Sequence, residues 1–206
     1  GWGNNIKKDC KVFEPINIDE VKKYIKLNES FIFRGLGRSY GDSSIQPKST
    51  ILTKKLNKII YFDKKKGLIN VQAGISISEI LKIVVKNGWF MPVTPGSKYI
   101  SIGGMIAANC HGKNHHNVGG FQNFVTEISL LIGNKIIRCS KKKNSNLFNF
   151  VFGSMGLTGF IISCKFKLIK INSQYIYQEK IKTYNLQETL KKFNKSKNWE
   201  YSVAWI

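Results

Sequence analysis

The sequence lacks the features that define several common classes of protein. Its four cysteines form no Cys-x-x-Cys pair and no dense framework, which argues against a zinc ribbon or a disulfide-stapled secreted domain. No apolar run approaches the roughly 20 residues that a transmembrane helix needs, and no signal-peptide pattern opens the sequence. We therefore expect a cytoplasmic globular protein, with peripheral membrane contact as the alternative.

Acidic residues and arginine are also scarce. The chain has 33 basic and 12 acidic residues, for a net charge of +21, yet only Arg34, Arg38 and Arg138 are arginines. The lysines are scattered among many isoleucines and asparagines, as an A/T-rich coding sequence would produce, and a polyanion-binding surface is the alternative. Because no aromatic residues are interleaved with basic clusters, we expect no nucleic-acid partner. Two arginines flank one glycine loop, where a planar guanidinium favours a specific contact.

The stretch from residue 95 to residue 121 concentrates unusual residues. It holds six glycines and all three histidines of the chain. Ser101 can cap a short helix through Gly103 and Gly104 to Ala108, and we expect this helix to present unpaired N–H groups to a phosphate or a cofactor ring. His111 follows the helix and is predicted to face that ligand.

A second glycine-rich loop, Arg34–Asp42, partly matches the dinucleotide-binding fingerprint of a Rossmann fold. Gly35 and Gly37 supply two glycines, but Tyr40 occupies the third position and the following residues are turn-like rather than helical. A Rossmann site is therefore not expected. The loop is interpreted as a strand followed by a nest of N–H groups around a pyrophosphate, and a plain glycine-rich hairpin turn is the alternative.

The remaining patterns mix short strands with isolated helices, which predicts an α+β fold. Predicted helices begin near Asn17 or Asp19, at Ser76 with a Ser76–Glu79 capping box, at Ser145 and at Asn185. Predicted strands cover residues 31–33, 50–52, 59–62, 68–72, 126–132, 135–139, 160–168 and 201–206. A third glycine cluster, 153–159, precedes one of these strands. Since the glycines stop after 171, residues 172–206 are predicted to begin a second domain, and the chain is expected to be a fragment.

The three glycine loops together resemble the FAD-binding domain of the PCMH-type, or vanillyl-alcohol-oxidase, flavoprotein superfamily. The RGLGRSYGD loop at 34–42, the HGKNHH block at 111–116 and the GLTG segment at 156–159 are similar to the FAD-linked oxidases related to decaprenylphosphoryl-ribose 2-oxidase. The resemblance covers roughly residues 1–206. It implies an FAD-binding domain of two α/β subdomains at 1–171, followed by the start of a truncated substrate domain.

The resemblance also implies the site residues. The residues expected to bind FAD are Arg34, Gly35, Leu36, Gly37, Arg38, Ser39, Tyr40, Gly41, Asp42, Gly96, Ser101, Ile102, Gly103, Gly104, Ala108, Asn109, Cys110, His111 and Phe160. His111 and Lys113 are the expected catalytic residues on the substrate side, and a histidine satisfied by backbone carbonyls is the alternative for His111. No metal is expected, because His111 and His115 lack a third ligand and Lys113 would repel a cation.

The expected function is oxidation of a CH–OH group in a sugar, polyol or glycolipid, with FAD bound non-covalently. Arg38 stands where oxidases of this superfamily that attach flavin through this loop have a histidine, and a guanidinium cannot act as the attaching nucleophile. The expected partners are a small-molecule or lipid-linked sugar substrate and a reductase for the keto product. An aldonolactone or alditol oxidase is the rival within the superfamily. A basic module for nucleic acid or anionic surfaces is the rival of another class.

Overall fold

A computed structural model describes residues 1–4 and 6–205, and its first sheet is parallel. Strands β1 (Lys11–Phe13), β2 (Ile32–Arg34) and β3 (Ser49–Leu52) lie in the order β1-β3-β2. Helix α1 (Ile18–Leu27) joins β1 to β2 and begins at the predicted cap, where the N–H of Glu20 donates to Asn17 Oδ1 at 2.9 Å. Strand β1 was not predicted, because three residues with an exposed lysine and valine give no clear period.

The second sheet is antiparallel. It contains β4 (Ile59–Asp63), β5 (Leu68–Gln72), β7 (Val125–Ile132), β8 (Lys135–Cys139) and β9 (Phe160–Lys167), in the order β4-β5-β9-β7-β8. The two hairpins β4–β5 and β7–β8 are confirmed as predicted. The short strands β6 (Trp89–Phe90) and β10 (Ile169–Lys170) pair beside this sheet.

Helices α2 (Ile77–Val84), α3 (Ile102–Ala107) and α5 (Ser145–Val151) pack on one face of the antiparallel sheet and bury the main core. The short helix α4 (His115–Val118) lies between α3 and β7 in the chain. The predicted capping box of α2 is present: the N–H of Glu79 donates to Ser76 Oγ at 3.1 Å, and the N–H of Ser76 donates to Glu79 Oε2 at 2.8 Å. The predicted side-chain cap of α5 is wrong. Ser145 is the first helical residue, and Asn144 before it is left-handed, with its side chain turned to the Arg138 carbonyl.

A smaller core joins the two sheets. Val21 of α1 and Leu56 pack against Leu131 and Phe160 from the other face of the antiparallel sheet. The Phe160 ring lies 4.7 Å from the ring of Phe33 in β2, measured between centroids. The chain therefore has an α+β architecture, as predicted. We call the parallel sheet with α1 and the antiparallel sheet with its helices the two subdomains, and Phe160 lies where they meet.

The last part of the chain differs from the prediction. Helix α6 (Leu186–Lys195) begins after Asn185 as expected, but none of its residues is buried. The predicted strand at 201–206 is wrong for residues 201–205, which form no regular element, and Ile206 lies outside the described residues. No strand among the described residues pairs with this segment, and the N–H of Ser202 donates to the Lys113 carbonyl at 3.1 Å. Across residues 1–4 and 6–205, no helix is long and apolar enough to cross a membrane.

Candidate functional site

A cleft of about 170 Å³ runs along the boundary between the two subdomains. All three glycine loops of the sequence contribute to its walls. The predicted cofactor residues that line it are Gly35, Leu36, Gly37, Arg38, Ser39, Ser101, Gly103, Gly104, Ala108, Cys110 and Phe160. Segments that are far apart in sequence thus form one continuous surface.

The loop after β2 packs directly on the start of α3. Gly35 lies so close to Ser101 that an added Cβ would collide with the Ser101 Oγ unless the Ser101 side chain moved away. The main-chain N–H groups of residues 35–39 donate to no other described residue. Several adjacent, unpaired N–H groups beside a cleft can bind an anion. No helix follows this loop, so the rejection of a Rossmann site is confirmed.

The two arginines of this loop have different surroundings. Arg34 lies behind the loop: its Nη1 donates to the Ser44 carbonyl at 3.0 Å and to Ser44 Oγ at 2.9 Å, and its guanidinium touches Gly37, which is left-handed at φ +66°. Arg38 is exposed and lines the cleft. Arg34 therefore holds the loop in shape, while Arg38 is the arginine that lines the cleft.

The expectation that α3 presents unpaired N–H groups is wrong. The N–H of Ile102 donates to the Ile75 carbonyl at 2.9 Å, that of Gly103 to the Ala73 carbonyl at 2.7 Å, and that of Gly104 to Ser101 Oγ at 3.3 Å. The segment that follows β5, together with the Ser101 cap, thus satisfies the first turn of the helix. What α3 gives to the cleft is a face of small residues, Gly104, Ala107 and Ala108, on which a planar ring can lie flat.

The third glycine loop closes the end of the cleft. Its Met155 N–H donates to the Ala107 carbonyl at 2.9 Å, which ties the loop to the end of α3. Gly156 (φ +81°) and Gly159 (φ +148°) have conformations that favour glycine, and both line the cleft. Thr158 Oγ1 between them is buried and bonds no described residue. The sequence analysis noted this cluster but assigned it no site residues; the repeated glycines were the available signal.

Several predicted cofactor residues lie off the cleft: Arg34, Tyr40, Gly41, Asp42, Gly96, Ile102, Asn109 and His111. Ile102 is fully buried in the core, and Tyr40 is 77% exposed on the outer side of its loop. The Asn109 side-chain oxygen is buried close to Gly120. Their roles toward the cofactor stay predictions.

His111 and Lys113 lie in a second hollow of about 550 Å³, next to the cleft because Cys110 lines one and His111 the other. The remaining lining residues are Gly112, His115, His116, Phe193, Asn194, Ser196, Lys197 and Ser202. None of these is acidic, so the hollow is cationic and suits an anion. Among residues 1–4 and 6–205, no three His, Cys, Asp or Glu side chains are grouped as metal ligands.

Comparison with known proteins agrees with this geometry. A family model described as "FAD binding domain" matches residues 11–140, which is more than half of the chain. The chain belongs to the FAD binding domain family. The match includes the loop after β2, helix α3 and the histidine block, and thus two of the three glycine loops that line the cleft and part of the hollow.

Relatives of this FAD-binding domain include oxidases. Decaprenylphosphoryl-beta-D-ribose oxidase of Mycolicibacterium smegmatis is 34% identical over 216 residues, covering 100% of this chain and 47% of that protein. A putative D-arabinono-1,4-lactone oxidase of Neurospora crassa is 26% identical over 162 residues, covering 76% and 29% respectively. The chain spans under half the length of these relatives.

A solved structure shares the fold. Alkyldihydroxyacetonephosphate synthase superposes with a TM-score of 0.68 at 19% identity, covering 77% of this chain and 31% of that one. The prediction of a PCMH-type FAD-binding fold is therefore confirmed.

The cleft fits FAD on two structural grounds. The unpaired main-chain N–H groups of residues 35–39 and the positive side chain of Arg38 can bind the two negative charges of a diphosphate. The small side chains of Gly104, Ala107 and Ala108 leave room for a flat ring against α3.

Cys110 provides a test of this fit, because its thiol lines the cleft and the other cysteines do not. Burial raises the pKa of the Cys110 thiol, so its alkylation by iodoacetamide, which needs the thiolate, should level off at a higher pH than that of a free thiol, whose pKa is about 8.5. FAD at ten times its dissociation constant should slow labelling of Cys110 about tenfold. Half-buried Cys10, outside the cleft, is the internal control, and mass spectrometry of the peptides gives both rates. Equal labelling of Cys110 with and without FAD would place the cofactor elsewhere.

Proposed function

We propose that the chain is the FAD-binding part of an oxidoreductase that oxidises a CH–OH group of a sugar, polyol or glycolipid. The observation that carries this proposal is the cationic hollow beside the cleft, which is lined by N–H donors and small residues. FAD, when bound, supplies a ring that accepts a hydride equivalent from carbon. We further propose that residues 1–171 form the FAD-binding domain and that 172–206 begin the substrate domain.

The chain's own residues would bind FAD and orient the substrate. The N–H groups of 35–39 and the guanidinium of Arg38 hold the diphosphate, and the Ala108–Cys110 segment borders the ring. In the hollow, Lys113 Nζ donates a hydrogen bond to a substrate oxygen, and His111 accepts the hydroxyl proton at Nε2. His111 is exposed, so its imidazole is accessible to a substrate.

The charge of the hollow bears on the substrate class. Lys113 and Lys197 lie there with His116 and without a carboxylate, which favours a substrate with a phosphate over a neutral lactone. A phosphate-linked glycolipid therefore fits better than an aldonolactone, although the likeness to the putative lactone oxidase keeps that substrate as the second candidate. A reductase that consumes the keto product is the proposed partner.

FAD is proposed to bind without a covalent bond. The position after Gly37, where flavin-attaching oxidases of this superfamily have a histidine, is occupied by Arg38, whose guanidinium cannot form that bond. Binding is then reversible, and acid should release the flavin into the supernatant. Flavin that stays with the precipitated protein would contradict reversible binding. A purely basic binding module would instead retain no yellow flavin after unbound FAD is removed, and it would bind DNA at physiological salt.

The substrate class can be tested on the FAD-loaded chain without turnover, which we do not expect from it alone. Ribose 5-phosphate should perturb the visible flavin spectrum with saturation, because the hollow adjoins the ring site, whereas D-arabinono-1,4-lactone should not. Lys113→Met should raise the apparent dissociation constant about five- to tenfold, as loss of a charge-assisted hydrogen bond does. Lys64→Met, on the β4–β5 turn, is the matched control for net charge. Equal titrations by both sugars would leave the phosphate preference unsupported.

A further inference from the structure

The first residues of the chain lie on the outer side of the cleft loop. The N–H of Trp2 donates to the Ser39 carbonyl at 2.9 Å. Gly1 sits so close to the Gly41 carbonyl that a side chain there would collide with it. These contacts fix the segment 1–4, the N-terminal arm, against the loop that carries the unpaired N–H groups.

The arm also meets the charged group of that loop. The Arg38 guanidinium carbon lies 5.1 Å from the centroid of the Trp2 ring, within the range of a cation–π interaction. On its other side, Arg38 Nη1 donates to the Leu36 carbonyl at 3.0 Å. Arg38 forms no ion pair with any carboxylate in the described chain. Its side chain is therefore held at two points while its charge stays available.

An exposed arginine has many rotamers, and fixing one of them costs conformational entropy when a ligand binds. Trp2 offers a flat, electron-rich surface that favours one rotamer before any ligand arrives. In that rotamer Arg38 lines the cleft together with Gly35, Leu36, Gly37 and Ser39. A preorganised cation binds an anion more tightly than a mobile one, because less entropy is lost on binding.

We propose that Trp2 is a positioning residue for the cofactor: it holds Arg38 in place so that the guanidinium meets the FAD diphosphate. This inference rests on the proposed placement of the diphosphate at residues 35–39. It gives the N-terminal arm, which has no regular structure, a defined part in cofactor affinity.

The test is a double-mutant cycle on the purified chain, with FAD dissociation constants measured by flavin fluorescence at low and high salt. Arg38→Gln should weaken FAD binding and flatten its salt dependence, because one charge contact is lost. Trp2→Leu, which keeps an apolar side chain without a ring face, should weaken binding about two- to fivefold. Trp2→Phe should retain most of the affinity. In the Arg38→Gln background, Trp2→Leu should have no further effect.

The outcomes distinguish an error in the placement of the diphosphate from an error in the role proposed for Trp2. If Arg38→Gln leaves affinity and salt dependence unchanged, the diphosphate does not lie at this loop and the inference falls with that placement. If Arg38→Gln weakens binding but Trp2→Leu does not, Trp2 has no positioning role. If Trp2→Leu weakens binding equally in both backgrounds, Trp2 acts independently of Arg38, which also overturns the inference. Thermal unfolding without FAD should be alike for all variants.

Discussion

Replacing Gly35 with alanine is expected to weaken FAD binding by about tenfold or more, the effect of 1–3 kcal/mol of overpacking. The added methyl group would collide with Ser101 Oγ and lie 3.2 Å from Ser101 Cβ. Since Gly35 belongs to the N–H loop and Ser101 to the start of α3, the collision pushes apart the two walls of the cleft. The dissociation constant of FAD, measured by fluorescence titration, gives the result.

A second substitution removes the obstacle and serves as the control. Ser101→Gly deletes both colliding atoms and costs only a few tenths of a kcal/mol as a helix cap, because glycine is tolerated at that position. The Gly35→Ala/Ser101→Gly protein should therefore regain most of the lost affinity. A double variant no better than Gly35→Ala would show that the contact with Ser101 is not the cause, and wild-type affinity in Gly35→Ala would refute the proposed geometry.

Gly74→Ala is expected to give the largest loss of stability, about 3 kcal/mol or more in the free energy of unfolding. Gly74 is buried where β5 leaves the antiparallel sheet, and its N–H donates to the Leu56 carbonyl at 2.9 Å. An added Cβ would collide with the Thr53 carbonyl oxygen and lie 2.7 Å from that of Leu56. These are main-chain atoms next to β3, so they cannot rotate away as a side chain would.

Thermal unfolding measures this effect. For a chain of this size, 3 kcal/mol corresponds to a fall in Tm of about 6–12 °C. Gly96→Ala is the matched control, because no atom lies within 4 Å of an added Cβ there and no left-handed conformation is required. Its Tm should stay within about 2 °C of the wild type. Equal Tm values for Gly74→Ala and Gly96→Ala would mean that the main chain around Gly74 accommodates the added methyl group without a loss of stability.

Local patterns in the sequence were sufficient for most elements. The capping box of α2 needs only Ser76 and Glu79, three residues apart, and the turn at Gly133 and Asn134 specifies the β7–β8 hairpin. Strand β1 left no such local signal, since it is held by its register with β3 some 38 positions later, as the pairing of Lys11 with Ser49 shows.

The loops that form the candidate site were predictable from the sequence, but the N–H groups that stay unpaired in it were not. The pairing of the α3 N–H groups depends on the carbonyls of Ala73 and Ile75, more than 25 residues upstream, and no sequence motif reports such contacts. The same holds for Trp2, whose position on Arg38 is a tertiary contact of the arm. Glycine content shows where the main chain can approach a ligand closely, whereas tertiary packing determines which N–H groups stay unpaired.

The strand order β4-β5-β9-β7-β8 has a consequence for the ribosome-bound chain. The central strand β9 is the last of the five to be synthesised, and β5 and β7 each pair with it and not with each other. While residues 160–167 are still in the exit tunnel, the emerged chain holds two separate hairpins with exposed edges, a state that invites wrong pairing. Once β9 emerges from the tunnel it can pair with β5 and β7, which completes the sheet and brings Gly159 and Phe160 to the cleft. The nascent chain thus acquires its cofactor site only when its largest sheet becomes complete.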